Sequence, residues 1–197
     1  MKKITTLALT LSLAALLSAC GTVVNQLEGE QRLGQRLSVQ LPTAWNRFEQ
    51  DASVPYQVWT QEGLMLDQLR IWAAIEPEQA LLQKPAYDGK KEAQLPTFRA
   101  GLRPDQWVGL LEAVYATDGS VVSIDKVEPT TWAGARAVRF EFALARQGDD
   151  LALRGVGWAT EKDQAFFAAV FTAPRLHFYG QLLPQVQALM RTARFVP

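Results

Sequence analysis

Cys20 and His177 are the only cysteine and the only histidine in the chain, so nucleophilic and metal chemistry have few places to start. His177 sits beside Phe178 and Tyr179 at the start of a helical pattern, where a packed or half-exposed structural role is expected. A Ser-His-Asp arrangement would have to recruit groups such as Ser123 and Asp125, which spacing does not join to it, and a multi-histidine metal site has little to work with. There is no Gly-x-Ser-x-Gly elbow and no Gly-rich phosphate loop. The acidic pairs Glu76/Glu78, Asp149/Asp150 and Glu161/Asp163 all fall at turns, whereas a glycosidase needs two carboxylates facing across a cleft. Of the six tryptophans, Trp107 lies on a helical stripe and Trp59, Trp72 and Trp158 lie in strand patterns, which assigns most of them to core packing. No metal and no cofactor is expected.

The environment of Cys20 is more specific. Lys2 and Lys3 form a basic start, Ile4 to Leu17 is an apolar run broken only by Thr and Ser, and the small residues Ser18 and Ala19 precede Cys20. That is the three-part shape of a secretory signal, and it is shorter than the roughly 20 apolar residues needed to span a bilayer. Leu17-Ser18-Ala19-Cys20 resembles the lipobox of bacterial lipoproteins. The resemblance implies that the Cys20 sulfur receives a diacylglycerol, that the leader 1–19 is removed, and that the new amino group is acylated. Two internal facts agree with it. Cys20 has no internal disulfide partner although an exported chain meets oxidising conditions. A single acyl chain gives only marginal membrane binding, whereas two or three make attachment lasting. Gly21 stands where an aspartate commonly retains such proteins in the inner membrane, so the resemblance implies the periplasmic face of the outer membrane.

The 197 residues carry 20 basic and 20 acidic side chains, and loss of 1–19 removes two lysines and no acid, leaving 18 − 20 = −2. This excess of acid argues against a nucleic-acid partner, which needs clustered Lys and Arg. The remaining length suits one domain with a real core. The expected division is a leader over 1–19, a lipidated N-terminus and tether over 20–34 reaching at most roughly 45 Å, and one domain over 35–197.

Within that domain, apolar alternation predicts strands at 36–41, 54–60, 64–75, 120–127, 135–146, 151–160 and 165–172. Val138, Phe140, Phe142 and Leu144 share one face of the fifth, opposite Arg139 and Glu141. The last, Ala165 to Thr172, is apolar on both faces and so is expected at the centre of the sheet. Trp107, Leu110, Leu111, Val114 and Tyr115 fall on one stripe of a helix over 104–116, with Pro104 in its first turn and Gly119 at its exit. A second helix over about 175–193 carries Tyr179, Leu182, Leu183, Val186, Leu189 and Met190 on one face, and Pro184 predicts a kink or two abutting helices. The fold class is therefore α+β, a single antiparallel sheet of about six or seven strands with both helices packed on it. Between 76 and 103 the pattern breaks into a long Pro- and Gly-rich connection, in which Tyr87, Lys90 and Lys91 set an aromatic beside two cations, a candidate contact for a partner.

This order of elements, with Leu-Pro-x-x-Trp at Leu41 to Trp45 and Thr-Ala-Pro with aromatics over Thr172 to Tyr179, resembles the Mog1/PsbP-like fold. The resemblance implies binding of proteins or support of assemblies and brings no catalytic motif. The sequence thus points to a membrane-anchored, non-catalytic envelope lipoprotein that binds an envelope protein or supports an assembly. Two rivals are an envelope hydrolase acting on peptidoglycan or glycan, and a small-ligand carrier with a pocket between the Trp107 helix and the sheet.

Overall fold

The computed structural model describes residues 24–83, 95–149 and 151–196, and Cys20, Tyr87, Lys90, Lys91 and Asp150 lie outside them. One sheet dominates. Its strands are β1 (Val24–Leu33), β2 (Leu37–Phe48), β3 (Gln57–Thr60), β4 (Gln68–Ile75), β5 (Val121–Trp132), β6 (Ala135–Ala145), β7 (Ala152–Lys162), β8 (Ala165–Pro174) and the short β9 (Arg194–Phe195). The order is β1-β2-β3-β4-β8-β7-β6-β5, with β9 on β2 and every pairing antiparallel. Helices α1 (Pro104–Ala116) and α2 (Phe178–Arg191) cover opposite faces. No helix among the described residues is long and apolar enough to cross a membrane.

The α+β class and the antiparallel sheet are as the sequence indicated. The strand count is nine rather than six or seven, because β1 and β9 were not visible in the pattern. β1 also corrects the expected tether: from Val24 onward the chain is already paired in the sheet. β2 and β5 run on through Pro42 and Pro129, past the expected ends at 41 and 127. Pro42 lies where three residues of β2 (42–44) oppose Glu28 alone, between the pairs Leu27↔Trp45 and Gly29↔Leu41, and such an irregularity needs no N–H from proline. Pro129 lies in β5, the last strand in the sheet order, where a missing donor is tolerated.

β8 is central, between β4 and β7, and its residues from Ala165 to Ala173 are all buried. Alternate side chains therefore serve two cores. Phe167, Ala169 and Phe171 pack toward α2 with Leu182, Val186, Leu189 and Met190. Phe166, Ala168 and Val170 pack toward α1 with Trp107, Leu111 and Val114. β6 sends Val138, Phe140, Phe142 and Leu144 to the α1 side, while Arg139 and Glu141 pair on the other at 2.7 Å.

α1 begins and ends where the sequence placed it. The Gln106 side chain accepts the Arg103 N–H at 3.0 Å, and the Gly119 N–H closes the C-terminal turn on the Ala116 carbonyl. α2 runs unbroken from Phe178 to Arg191 through Pro184. Pro184 cannot donate to the Gly180 carbonyl, but both residues are exposed, so water can satisfy the freed oxygen. Beyond the helix, the Thr192 hydroxyl donates to the Gln40 carbonyl at 3.1 Å and accepts the Gln40 N–H at 2.9 Å, locking the helix exit to β2.

Both described flanks of the long 76–103 connection are tied into the α1-side core. Leu81 and Phe98 are fully buried, the Trp72 indole N–H donates to the Leu81 carbonyl at 2.9 Å, and Phe98 stacks on Phe166 at 5.4 Å.

Candidate functional site

The groups singled out for chemistry are dispersed. All six tryptophans are buried, the least so being Trp107 and Trp158 at 6 % exposure, so none offers a platform for a sugar ring. His177 is exposed at the start of α2 with φ 75° and ψ −72°. The Phe178 N–H bonds back to the Leu176 carbonyl at 3.1 Å, which makes His177 the centre of a strained γ-turn. No hydrogen bond links it to Ser123 or Asp125 among the described residues, and Asp125 accepts instead from Arg154 at 2.7 Å.

The turn carboxylates are engaged by neighbours. Arg36 reaches Glu76 at 3.4 Å and Asp163 at 3.8 Å, Glu78 faces Arg99 at 3.9 Å, and Asp149 holds Arg146. Both oxygens of Glu161 accept the Gly101 N–H, at 2.9 and 3.0 Å. Glu161 and Asp163 do border one shallow hollow, beside Trp107 and Arg136. Neither Glu76 nor Glu78 joins them there. Among the described residues no group of three His, Cys, Asp or Glu could hold a metal ion.

The better-formed cavity, about 250 Å³, lies at the C-terminal end of α1. Leu111 and Val114, at 0 and 4 % exposure, fill the space between the helix and the sheet. Past Val114 the helix ends, and the turn before β4, the β6–β7 end and the close of β8 leave a gap beneath its last turn. Arg70, on the α1 side of β4, borders this gap. Its guanidinium lies 5.1 Å from the Tyr115 ring centre and 5.4 Å from that of Tyr56, and its Nε and Nη2 both donate to Gln68 Oε1, at 3.3 and 3.2 Å. Of two acids on the wall, Asp67 is buried and accepts from the Thr60 hydroxyl and from the Gln61 and Glu62 N–H groups, at 2.6, 2.8 and 2.7 Å. Asp118 accepts the Ser120 N–H at 2.9 Å. Sequence reasoning missed Arg70. The available signal was a cation placed on the same strand face as Trp72, within the otherwise apolar run Leu69-Arg70-Ile71-Trp72.

Tyr115 forms part of the same wall and has a buried hydroxyl without a hydrogen-bond partner. Burial pushes it up to about 12 from its ordinary value, the Arg70 cation opposing that shift. The folded value exceeds the unfolded one, so the neutral phenol's contribution is complete below about pH 10 and is lost as the pH rises toward 12. Between those limits wild type should lose about 2 to 3 kcal/mol more stability than Tyr115→Phe, measured by urea midpoints across the range.

An antiparallel sheet of this order, with helices on its two faces, is a PsbP-like fold. The solution structure of cyanobacterial PsbP (CyanoP) from Synechocystis sp. PCC 6803 is similar, with a TM-score of 0.56, 12% identity, and coverage of 92% of this chain and 99% of that one. At that identity the likeness concerns the fold alone. Weaker likenesses are to a protein of Bacteroides thetaiotaomicron VPI-5482 (TM-score 0.45, 13% identity, 87% of this chain and 50% of that one) and to LpqN, involved in cell envelope biogenesis of Mycobacterium tuberculosis (0.44, 9%, 88% and 92%). Neither adds to the assignment. No family model matches the chain, and no curated protein matches it in sequence.

Proposed function

We propose that the chain is an envelope lipoprotein, held by lipid on Cys20 at the periplasmic face of the outer membrane, whose PsbP-like domain works without catalysis by binding a protein partner or supporting an assembly. The observation that supports this reading best is where the tryptophans and the described turn carboxylates are used: the tryptophans in packing, and the carboxylates with arginines or backbone. Such a domain has its sheet faces spent on its own helices and offers edges, ends and loops for recognition. Tyr87, Lys90 and Lys91 belong to the proposal as the partner contact.

The short span before β1 sharpens the reading. From Cys20 to Val24 there are four residues, which reach at most about 14 Å, instead of the roughly 45 Å of a tether running to Gly34. The domain of a lipidated chain is thus held close to the bilayer, and its partner is a membrane-proximal or membrane-embedded protein.

Two experiments test this. Cys20→Ala should move essentially all of the protein out of the membrane fraction after cell fractionation; unchanged retention would count against the anchor. A photo-crosslinking residue at position 87 should give, in intact cells, one recurrent adduct identified by mass spectrometry, and a clean absence of adducts there would remove the partner contact. The hollow at Glu161 and Asp163 favours the hydrolase rival little, because both oxygens of Glu161 accept the Gly101 N–H and neither Glu76 nor Glu78 lines it.

A further inference from the structure

Arg70 has no carboxylate partner among the described residues, although it borders a cavity whose wall is part apolar and part polar. Tyr56 and Tyr115 lie beside its guanidinium, Gln68 takes two of its nitrogens, and Nη1 makes no hydrogen bond to the described residues. The neighbouring charges are already engaged: Asp67 by three donors, Asp118 by Ser120, and Arg146 by Asp149. Asp67 and Asp118 keep their negative charge under these neutral donors, and Arg70 is a guanidinium without an ion-pair partner among the described residues, on a wall that Leu64, Met65, Leu144 and Leu153 also line.

Met65 lines the cavity, while Val121 and Leu176 lie at the same end of the sheet outside its lining. Met65, before β4, is 68 % exposed, Val121 at the start of β5 is 68 % exposed, and Leu176 just past β8 is 77 % exposed. The pairs Gln68↔Thr172, Leu153↔Pro174, Leu144↔Leu153 and Val122↔Leu144 bring these three to one end of the sheet.

We propose that this cavity binds an apolar monocarboxylate, with its carboxylate on the Arg70 guanidinium and its hydrocarbon against Leu144 and Leu153. A guanidinium fork matches the two oxygens of a carboxylate, and one guanidinium pairs with a monoanion, whereas a phosphate dianion would bring a second negative charge beside Asp67 and Asp118. The volume, about 250 Å³, is below the roughly 300–1,000 Å³ of sites for drug-sized molecules, so it takes a short chain or a single residue and excludes a diacyl lipid. Such a carboxylate has two sources, a fatty acid or the C-terminal apolar residue of a polypeptide. The site goes beyond the partner-binding reading and does not require it.

The full-length protein in lipid nanodiscs, titrated with carboxyl-labelled octanoate, N-acetylleucine, octanamide and inorganic phosphate and followed by NMR, tests the assignment. Saturable binding of a carboxylate is expected, with octanamide about ten-fold weaker or more, as suits loss of a charge-assisted pair. Arg70→Met should weaken the carboxylate by a similar factor and leave octanamide within about two-fold. Tighter octanoate identifies a fatty acid as the source, and tighter N-acetylleucine a polypeptide C-terminus. Equal binding of octanoate and octanamide, displacement of the carboxylates by phosphate, or no difference between wild type and variant would overturn the assignment. Should Arg70→Met not fold, phenylglyoxal modification of the wild-type protein decides: octanoate must slow modification of Arg70 and spare Arg136, and lack of that protection is equally contrary.

Discussion

Phe167→Ala and Phe166→Ala should each remove about 3–5 kcal/mol of stability, a large share of the roughly 5–15 kcal/mol of a whole domain. Both rings are fully buried in β8, yet as neighbours in a strand they enter different cores. Phe167 meets the Phe195 ring edge-on at 4.8 Å and has the Arg36 guanidinium 5.5 Å above it. Phe166 stacks on Phe98. Hydrogen exchange should therefore separate them, with Phe167→Ala loosening β9 and its pairing with β2, and Phe166→Ala loosening the chain around Phe98. A loss below about 1 kcal/mol for either, in chemical denaturation, would show that β8 is not buried on both faces.

The second large effect comes from two glycines in β7. Gly155 lies opposite Phe142 and Gly157 opposite Phe140. A Cβ at Gly155 would come within 2.1 Å of the Phe142 ring, and one at Gly157 within 2.3 Å of the Phe140 ring. The rings cannot swing aside cheaply, since they stack on each other at 5.8 Å, Phe142 also meets Tyr115 at 5.5 Å, and both are buried. Gly155→Ala should thus cost about 3 kcal/mol, the upper end for overpacking, lowering Tm by about 6–12 °C in a chain of this size. Phe142→Leu in the same chain should recover part of that loss, a coupling that distant sites do not show. Strict additivity of the two substitutions would mean that ring and backbone do not press on one another.

These two cases show why function is sought at the ends and loops of this domain. With one helix on each face, the centre of the sheet is committed to structure, and a cavity remains at the end of α1, where the helix stops before covering the sheet.

The parts of the fold that were legible in the sequence are those where local and tertiary demands agree. α1 has proline in its first turn, one apolar stripe and an exit glycine. β6 alternates cleanly, and the uninterrupted apolar run of β8 can only be central. β1 was hidden because it contributes only two buried side chains, Leu27 and Leu33, with a register shift beside Gly29 between them. β9 is two residues long, too short for any period to show. The prolines in β2 and β5 imitate strand ends and are tolerated at an irregularity and at an edge. The cavity at Arg70 was illegible for another reason: Tyr56, Arg70 and Tyr115 are far apart in sequence, and the sheet order with the placing of α1 brings them together.

Lipid on Cys20 is what would place this domain at a membrane. Mass spectrometry of the protein purified from its native membrane tests it directly. The predicted result is a mature chain starting at Cys20, with a diacylglycerol thioether on the sulfur and an acylated amino group; a free Cys20 thiol, or a chain still bearing residues 1–19, would contradict it.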